Sequence, residues 1–297
     1  MTYQKPDAAF INYHVYRWGR LNQIYRGPEP DLTQPYIACL GAAQTFGRYV
    51  RRPFPDLMAK ALGHRVANFG TGGAGPGFFL RDSKVMEAAN DAALCVVQVM
   101  SARSLSNRLF KVKVRRNAQV KAVSSALEDL FPTVKFDQFT YAHNMLNEMA
   151  QTDANRFAEV ERELKTAWIA RTRTLLESIE APTILLWFSE RAPESRKTHR
   201  EGRAMLKYPH FVDRDMIEQV AHFADDYVEC ATDVGMPQSL LVDNAPVLKT
   251  PKGDPVTENR YYPSPEMHEA AAAALTPAAR RLLDLGPRAR AEDDVTV

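Results

Sequence analysis

The sequence predicts a doubly wound α/β fold: a parallel sheet with helices on both faces. Three observations carry that reading. Short apolar runs recur along the chain, and Leu94-Cys-Val-Val-Gln-Val-Met100 is apolar almost throughout, as a parallel strand buried on both faces should be. Helical stretches separate these runs. The first two runs end in glycines, Gly41 and the loop Gly70-Thr-Gly-Gly-Ala-Gly-Pro-Gly77, as turns at a sheet edge require.

Taken in order, residues 1–35 are aromatic and basic (Phe10, Tyr13, Tyr16, Trp18, Tyr25, with Arg17, Arg20 and Arg26) and end in the loop Gly27-Pro-Glu-Pro-Asp31. They read as an N-terminal extension packed on a main domain spanning 36–297. Tyr36–Leu40 is the first strand. Pro55–Gly63 is a helix with proline near its start and glycine as its stop. Arg65–Phe69 is the second strand, and Phe78–Ala89 a helix. Leu94–Met100 is the third strand, Thr183–Phe188 the fourth and Tyr227–Ala231 a weaker fifth. From about 117 to 180 the pattern turns helical. Its longest piece, Asp153–Ile179, places Phe157, Val160, Leu164, Trp168, Leu175 and Ile179 at near-helical spacing. This segment reads as a helical insertion and a candidate cap. Ser189–Pro209 is a long charged loop, the length at which loops carry function or move. Pro265–Leu285 is an alanine-rich closing helix, and the tail from Arg288 is polar and frayed.

Composition narrows the function classes. The chain has 297 residues, 45% hydrophobic and 25% charged, with a formal net charge of +2. That balance carries no nucleic-acid or membrane signature. No apolar run approaches the ~20 residues a membrane helix needs. The first residues have no apolar core of a secretory leader, so the expected location is cytoplasmic. The three cysteines, Cys39, Cys95 and Cys230, lack metal-site spacing. Two lie in strand-like runs and read as small buried hydrophobes. No metal or cofactor is implied.

The stretch Gly41-Ala-Ala-Gln-Thr-Phe-Gly47 resembles the first block of the SGNH (GDSL-type) hydrolases, Gly-Asp-Ser-x-Thr-x-Gly. The glycines and Thr45 match; Ala42 and Ala43 stand where the family has Asp and the nucleophilic Ser. Asn68-Phe-Gly-Thr-Gly-Gly-Ala-Gly75 resembles the second block, with Gly70 or Gly72 in the place of the oxyanion glycine. The third block, Gly-x-Asn-Asp, is replaced by Met100-Ser-Ala-Arg-Ser-Leu-Ser-Asn107. In the last block, Asp-x-x-His, His268 keeps its place but Pro265 stands three residues before it. The resemblance implies an SGNH- or flavodoxin-like three-layer sandwich, with a pocket where the three loops meet at the sheet's carboxyl edge.

On that frame the candidate catalytic residues are His268, Thr45 and Ser101. The candidate ligand-binding residues are Gly41, Ala43, Gln44, Arg48, Gly70, Gly72 and Arg103. A base must sit beside any hydroxyl that is to attack, and His268 is the candidate. Arg103 and Arg48 would add fixed positive charge for an anion. Two readings stay open: acyl or related group transfer or hydrolysis on a carbohydrate or polysaccharide, and a catalytically inactive carbohydrate- or anion-binding protein. A third is transfer from a phosphate-bearing donor held by the glycine loop and the basic run 103–116; without a Walker-type lysine, P-loop chemistry is not expected. The expected partner is a small-molecule or carbohydrate ligand.

Overall fold

A computed structural model describes residues 4–114, 116–193 and 207–285. Arg115, most of the charged loop (194–206) and the polar tail lie outside the described residues. Five strands form one parallel sheet: β1 (Tyr36–Gly41), β2 (Arg65–Gly70), β3 (Leu94–Gln98), β4 (Thr183–Ser189) and β5 (Asp226–Ala231). Their order is β2-β1-β3-β4-β5. Ile37 pairs with Val66 on one side and Leu94 on the other, so β1 is an interior strand. The chain reverses direction across the sheet at β1 and β3. In such sheets the crevice beyond the carboxyl ends at that point is where ligands bind.

The longer helices are α1 (Phe54–Leu62), α2 (Ser83–Asn90), α3 (Ala142–Thr152), α4 (Ala154–Glu177) and α5 (Pro265–Leu285). Alternate strand residues supply two cores. Ile37, Cys39, Leu94, Val96, Ile184 and Leu186 pack with Phe54 and Met58 of α1 and Ala271 and Leu275 of α5. Ala38, Leu40, Cys95, Val97, Leu185 and Trp187 pack with Val85 of α2 and Leu164, Trp168 and Leu175 of α4. Phe54 and Met58 are fully buried, which stabilises the fold by about 1.5–3 kcal/mol each. Gly63 closes α1 at φ 70°, a left-handed cap that glycine adopts without strain.

The middle departs from the sequence pattern in two ways. The stretch expected to turn helical at 117 first completes a β-ribbon, Phe110–Lys113 with Arg116–Val123. Phe110 and Val112 are buried, while Lys111 and Lys113 are exposed; that two-residue period belongs to a strand. The long helix α4 is not a detached cap. It is the crossover between β3 and β4, and Trp168 donates from Nε1 to the carbonyl of Met100 at 2.7 Å. The helix expected over Phe78–Ala89 is also split, into Pro76–Phe79 and α2. Between them the buried Asp82 accepts the N–H groups of Arg20 and Leu21.

That bond ties down the N-terminal segment. Its ribbon, Tyr16–Trp18 against Gln23–Tyr25, stacks Trp18 on Phe69 with centroids 5.2 Å apart. Arg26 donates to the carbonyls of Phe46, Gly47 and Arg51. Before α5 the chain makes three small antiparallel pairings between Gln238 and Asn259, largely exposed.

Candidate functional site

The turn after β1 is built around Gln98, which ends β3. Ala42 is extended, Ala43–Phe46 makes one helical turn, and Gly47 ends it at φ 73°. The buried Gln98 Oε1 accepts from the Ala42 N–H at 3.0 Å and from the Thr45 hydroxyl at 2.7 Å. Its Nε2 donates to the Tyr208 hydroxyl at 3.0 Å, which donates to the Val99 carbonyl at 3.0 Å. Gly41 is required here: a Cβ would lie 2.0 Å from Thr45 Oγ1 and 2.5 Å from Gln98 Oε1. Thr45 is therefore a buried structural donor, bonded to Gln98 and with no base beside it among the described residues.

The second glycine block closes in the same way. A Cβ on Gly70 would lie 2.1 Å from the Phe46 nitrogen. The Gly70 N–H donates to Asn68 Oδ1 at 2.9 Å, while Asn68 Nδ2 donates to the Thr45 carbonyl at 2.9 Å. The N–H that the resemblance offers for an oxyanion is thus already bonded. Gly72 lies exposed on the loop. Arg48 is committed elsewhere. It is ion-paired with Asp7 at 2.8 Å and donates to the Tyr262 hydroxyl at 3.0 Å, which fastens the N-terminal segment to the main domain.

His268 is not in the crevice. Its ring is fully buried, stacked on Phe54 and edge-on to Phe188. Nδ1 accepts the Phe54 N–H at 3.0 Å, capping α1, so the neutral ring carries its proton on Nε2. That nitrogen has no partner among the described residues. Burial first, then the nearby Arg26 charge, lowers its pKa to about 3. The structure places the expected base in the apolar core as a neutral cap.

A different histidine stands at the carboxyl edge. His210 Nδ1 lies 2.7 Å from Ser101 Oγ, and the His210 backbone N–H donates to the same oxygen at 3.0 Å. Its Nε2 is 3.4 Å from the Tyr261 hydroxyl, which also receives Arg103 at 3.3 Å. Burial lowers the His210 pKa well below its usual value, with the charges of Arg103, Arg191 and His143 adding to the effect. Arg191 holds the segment in place by donating to the carbonyls of Pro209 and Val212. Next to it Phe211 sits at φ 62°, a left-handed conformation that costs a bulky residue about 1–3 kcal/mol.

Beside these groups a cleft opens between the β1 turn, the end of β4 and the entry to α5. Tyr208, Tyr261 and Tyr262 line it, with Gln44, Glu190 and Arg260. Gln44 is 2% exposed, and its Oε1 has no hydrogen-bond partner among the described residues. Among those residues no group of His, Cys, Asp and Glu is placed to hold a metal ion, and no helix is long and apolar enough to cross a membrane.

The family described as domain of unknown function DUF6473 matches residues 1–283. The chain belongs to that family. No curated protein matches this sequence. Among solved structures, a carbohydrate acetylesterase family member from Sinorhizobium meliloti is 11% identical over 84% of this chain and 100% of its own, with a TM-score of 0.38. A lipase from a goat rumen metagenome is 12% identical over 83% and 97%, with a TM-score of 0.42. A catalytic mutant of an acetylxylan esterase from Geobacillus stearothermophilus is 12% identical over 84% and 94%, with a TM-score of 0.39. The DUF6473 chain is an α/β protein built on a five-stranded parallel sheet, and it carries the methyl group of Ala43 where the first sequence block would place a serine.

Of the residues singled out in the sequence, Gln44 reaches the cleft and Arg103 reaches its tyrosine wall. Ser101 meets a histidine; Thr45, Gly41 and Gly70 shape the turn. Gln98, Tyr208, His210, Tyr261 and Tyr262 were not singled out. Gln98 carried a signal: a glutamine inside an apolar buried run must find partners.

Proposed function

We propose that this DUF6473 chain is a binding protein. Its cleft takes a polyhydroxylated, carbohydrate-like ligand, and it does not run SGNH-type serine ester chemistry. The observation that carries this reading is the Gln44 carbonyl oxygen, buried at the cleft with no donor among the described residues. A buried acceptor left unpaired costs about 1–3 kcal/mol, and a ligand hydroxyl would remove that cost. The three tyrosines suit sugar rings, which present C–H faces to aromatic rings and hydroxyls to their polar tips. Glu190 and Arg260 supply an acceptor and a donor at the same cleft. Ala43 cannot attack a carbonyl, and His268 cannot reach one.

One contact favours a second reading. Ser101 and the neutral His210, 2.7 Å apart, have the spacing of a nucleophile and its base. Both are buried and neither lines the cleft. Ser101 Oγ also accepts the His210 N–H, which favours a structural tie between β3 and the loop. A fluorophosphonate probe separates the two. The binding reading expects no serine labelled. Stoichiometric labelling of Ser101, abolished in Ser101→Ala, would replace it with the acyl-transfer reading.

A further inference from the structure

A second concavity lies on the other side of the turn that carries Arg103. It is a shallow groove open to solvent, lined by Gly77, Arg81, Ser104, Ser106, Val112 and Arg171. Its two arginines come from different elements. Arg81 sits between the short helix Pro76–Phe79 and α2, and Arg171 lies in α4. The fold, not a local run of charge, brings them to one pocket.

Neither guanidinium has a hydrogen bond or an ion pair among the described residues. Arg171 has no acid at the helical neighbour positions, which are Ala167, Trp168, Thr174 and Leu175. Asp82, next to Arg81, is spent on the backbone of Arg20 and Leu21. Arg108, two residues beyond Ser106, is paired with Glu163 at 2.7 Å. Burial, and then the charge of Arg171, lower the Arg81 pKa. Two like charges, both at the surface, therefore share a groove with no counter-charge paired to either among the described residues. The space beside them is open: a Cβ on Gly77 would meet only the Arg171 stem, at 3.8 Å. Ser106 Oγ accepts the Val112 N–H at 3.0 Å and keeps its own proton to donate.

We infer that this pocket is an anion site for a tetrahedral oxyanion, a phosphate or sulfate group, held between Arg81 and Arg171 with Ser106 as a further donor. Guanidinium forks match the oxygen edges of such groups and bind them in pairs of parallel hydrogen bonds. The site is separate from the polar cleft and does not depend on the cleft's ligand.

The test compares the full chain with Arg81→Gln, Arg171→Gln and the double variant. Thermal unfolding and calorimetric titration are run with inorganic phosphate, inorganic sulfate and acetate, against chloride at matched ionic strength. Phosphate or sulfate should raise the wild-type Tm above the chloride control, and each single variant should bind roughly tenfold more weakly. The double variant should show no oxyanion-specific rise. In chloride alone, Arg171→Gln should unfold no earlier than wild type, because it relieves repulsion and breaks no bond. An equal rise with chloride, a rise with acetate alone, or a rise retained in the double variant would overturn the site. So would a lower Tm for Arg171→Gln in chloride, which would make that guanidinium structural.

Discussion

The Gln44 side chain makes an unusual stability prediction: replacing it should strengthen the ligand-free protein. Gln44 is 2% exposed, and its carbonyl oxygen accepts nothing among the described residues. Leaving such a group unpaired in the interior costs about 1–3 kcal/mol. Leucine has a similar volume and no polar atom. In Gln44→Leu it would sit at the same cleft as Phe188 and Met267, which are apolar. The variant should therefore gain about 1 kcal/mol in unfolding free energy, the lower end of that range, since the new side chain fits less well than the old. Urea unfolding followed by tryptophan fluorescence measures it, with an unchanged m-value confirming that both folded states expose the same surface. A loss of 1 kcal/mol or more would refute the reasoning, because it would mean that the oxygen holds a stabilising bond in the free protein.

Three further outcomes follow from the same geometry. Gln98→Leu leaves the Ala42 N–H and the Thr45 and Tyr208 hydroxyls without their shared partner; it should cost about 3 kcal/mol or more in urea unfolding. Gly41→Ala drives a methyl into Thr45 and Gln98 and should cost about 1–3 kcal/mol by overpacking, with a lower Tm. His268 is neutral in the fold with a pKa near 3, whereas the unfolded chain takes up that proton below about pH 6.5. Stability should be level above pH 6.5 and fall as the pH drops toward 3, by up to about 1.4 kcal/mol per unit from this residue. His268→Gln should remove that share of the slope, as unfolding measured from pH 7 to 4 would show.

The strands were legible because buried parallel strands must be continuously apolar and their edges here need glycine. The ribbon at Arg116–Val123 was not: its valines sit among charged residues, and only pairing with Phe110–Lys113 reveals the period. At the site, the lack of a hydroxyl at positions 42 and 43 was plain from Ala42 and Ala43. His268 was misplaced because position along the chain does not say which face a residue takes. Yet Met267, His268, Ala271, Ala272 and Leu275 form one buried helical stripe, and that spacing places the ring in the core. His210 had no such signal. It follows the charged loop, and only the bonds to Ser101 and Arg191 bring its segment to the sheet edge.

If the cleft binds a polyhydroxylated ligand through Gln44 and its tyrosines, affinity must depend on the Gln44 side chain. Calorimetric titration with neutral xylo-, malto- and chito-oligosaccharides, on wild type and Gln44→Leu, tests it most directly. At least one of these series should bind one-to-one, with a loss of roughly tenfold or more in affinity in Gln44→Leu. Binding that is unchanged in Gln44→Leu, or no binding by any of the three series, would contradict it.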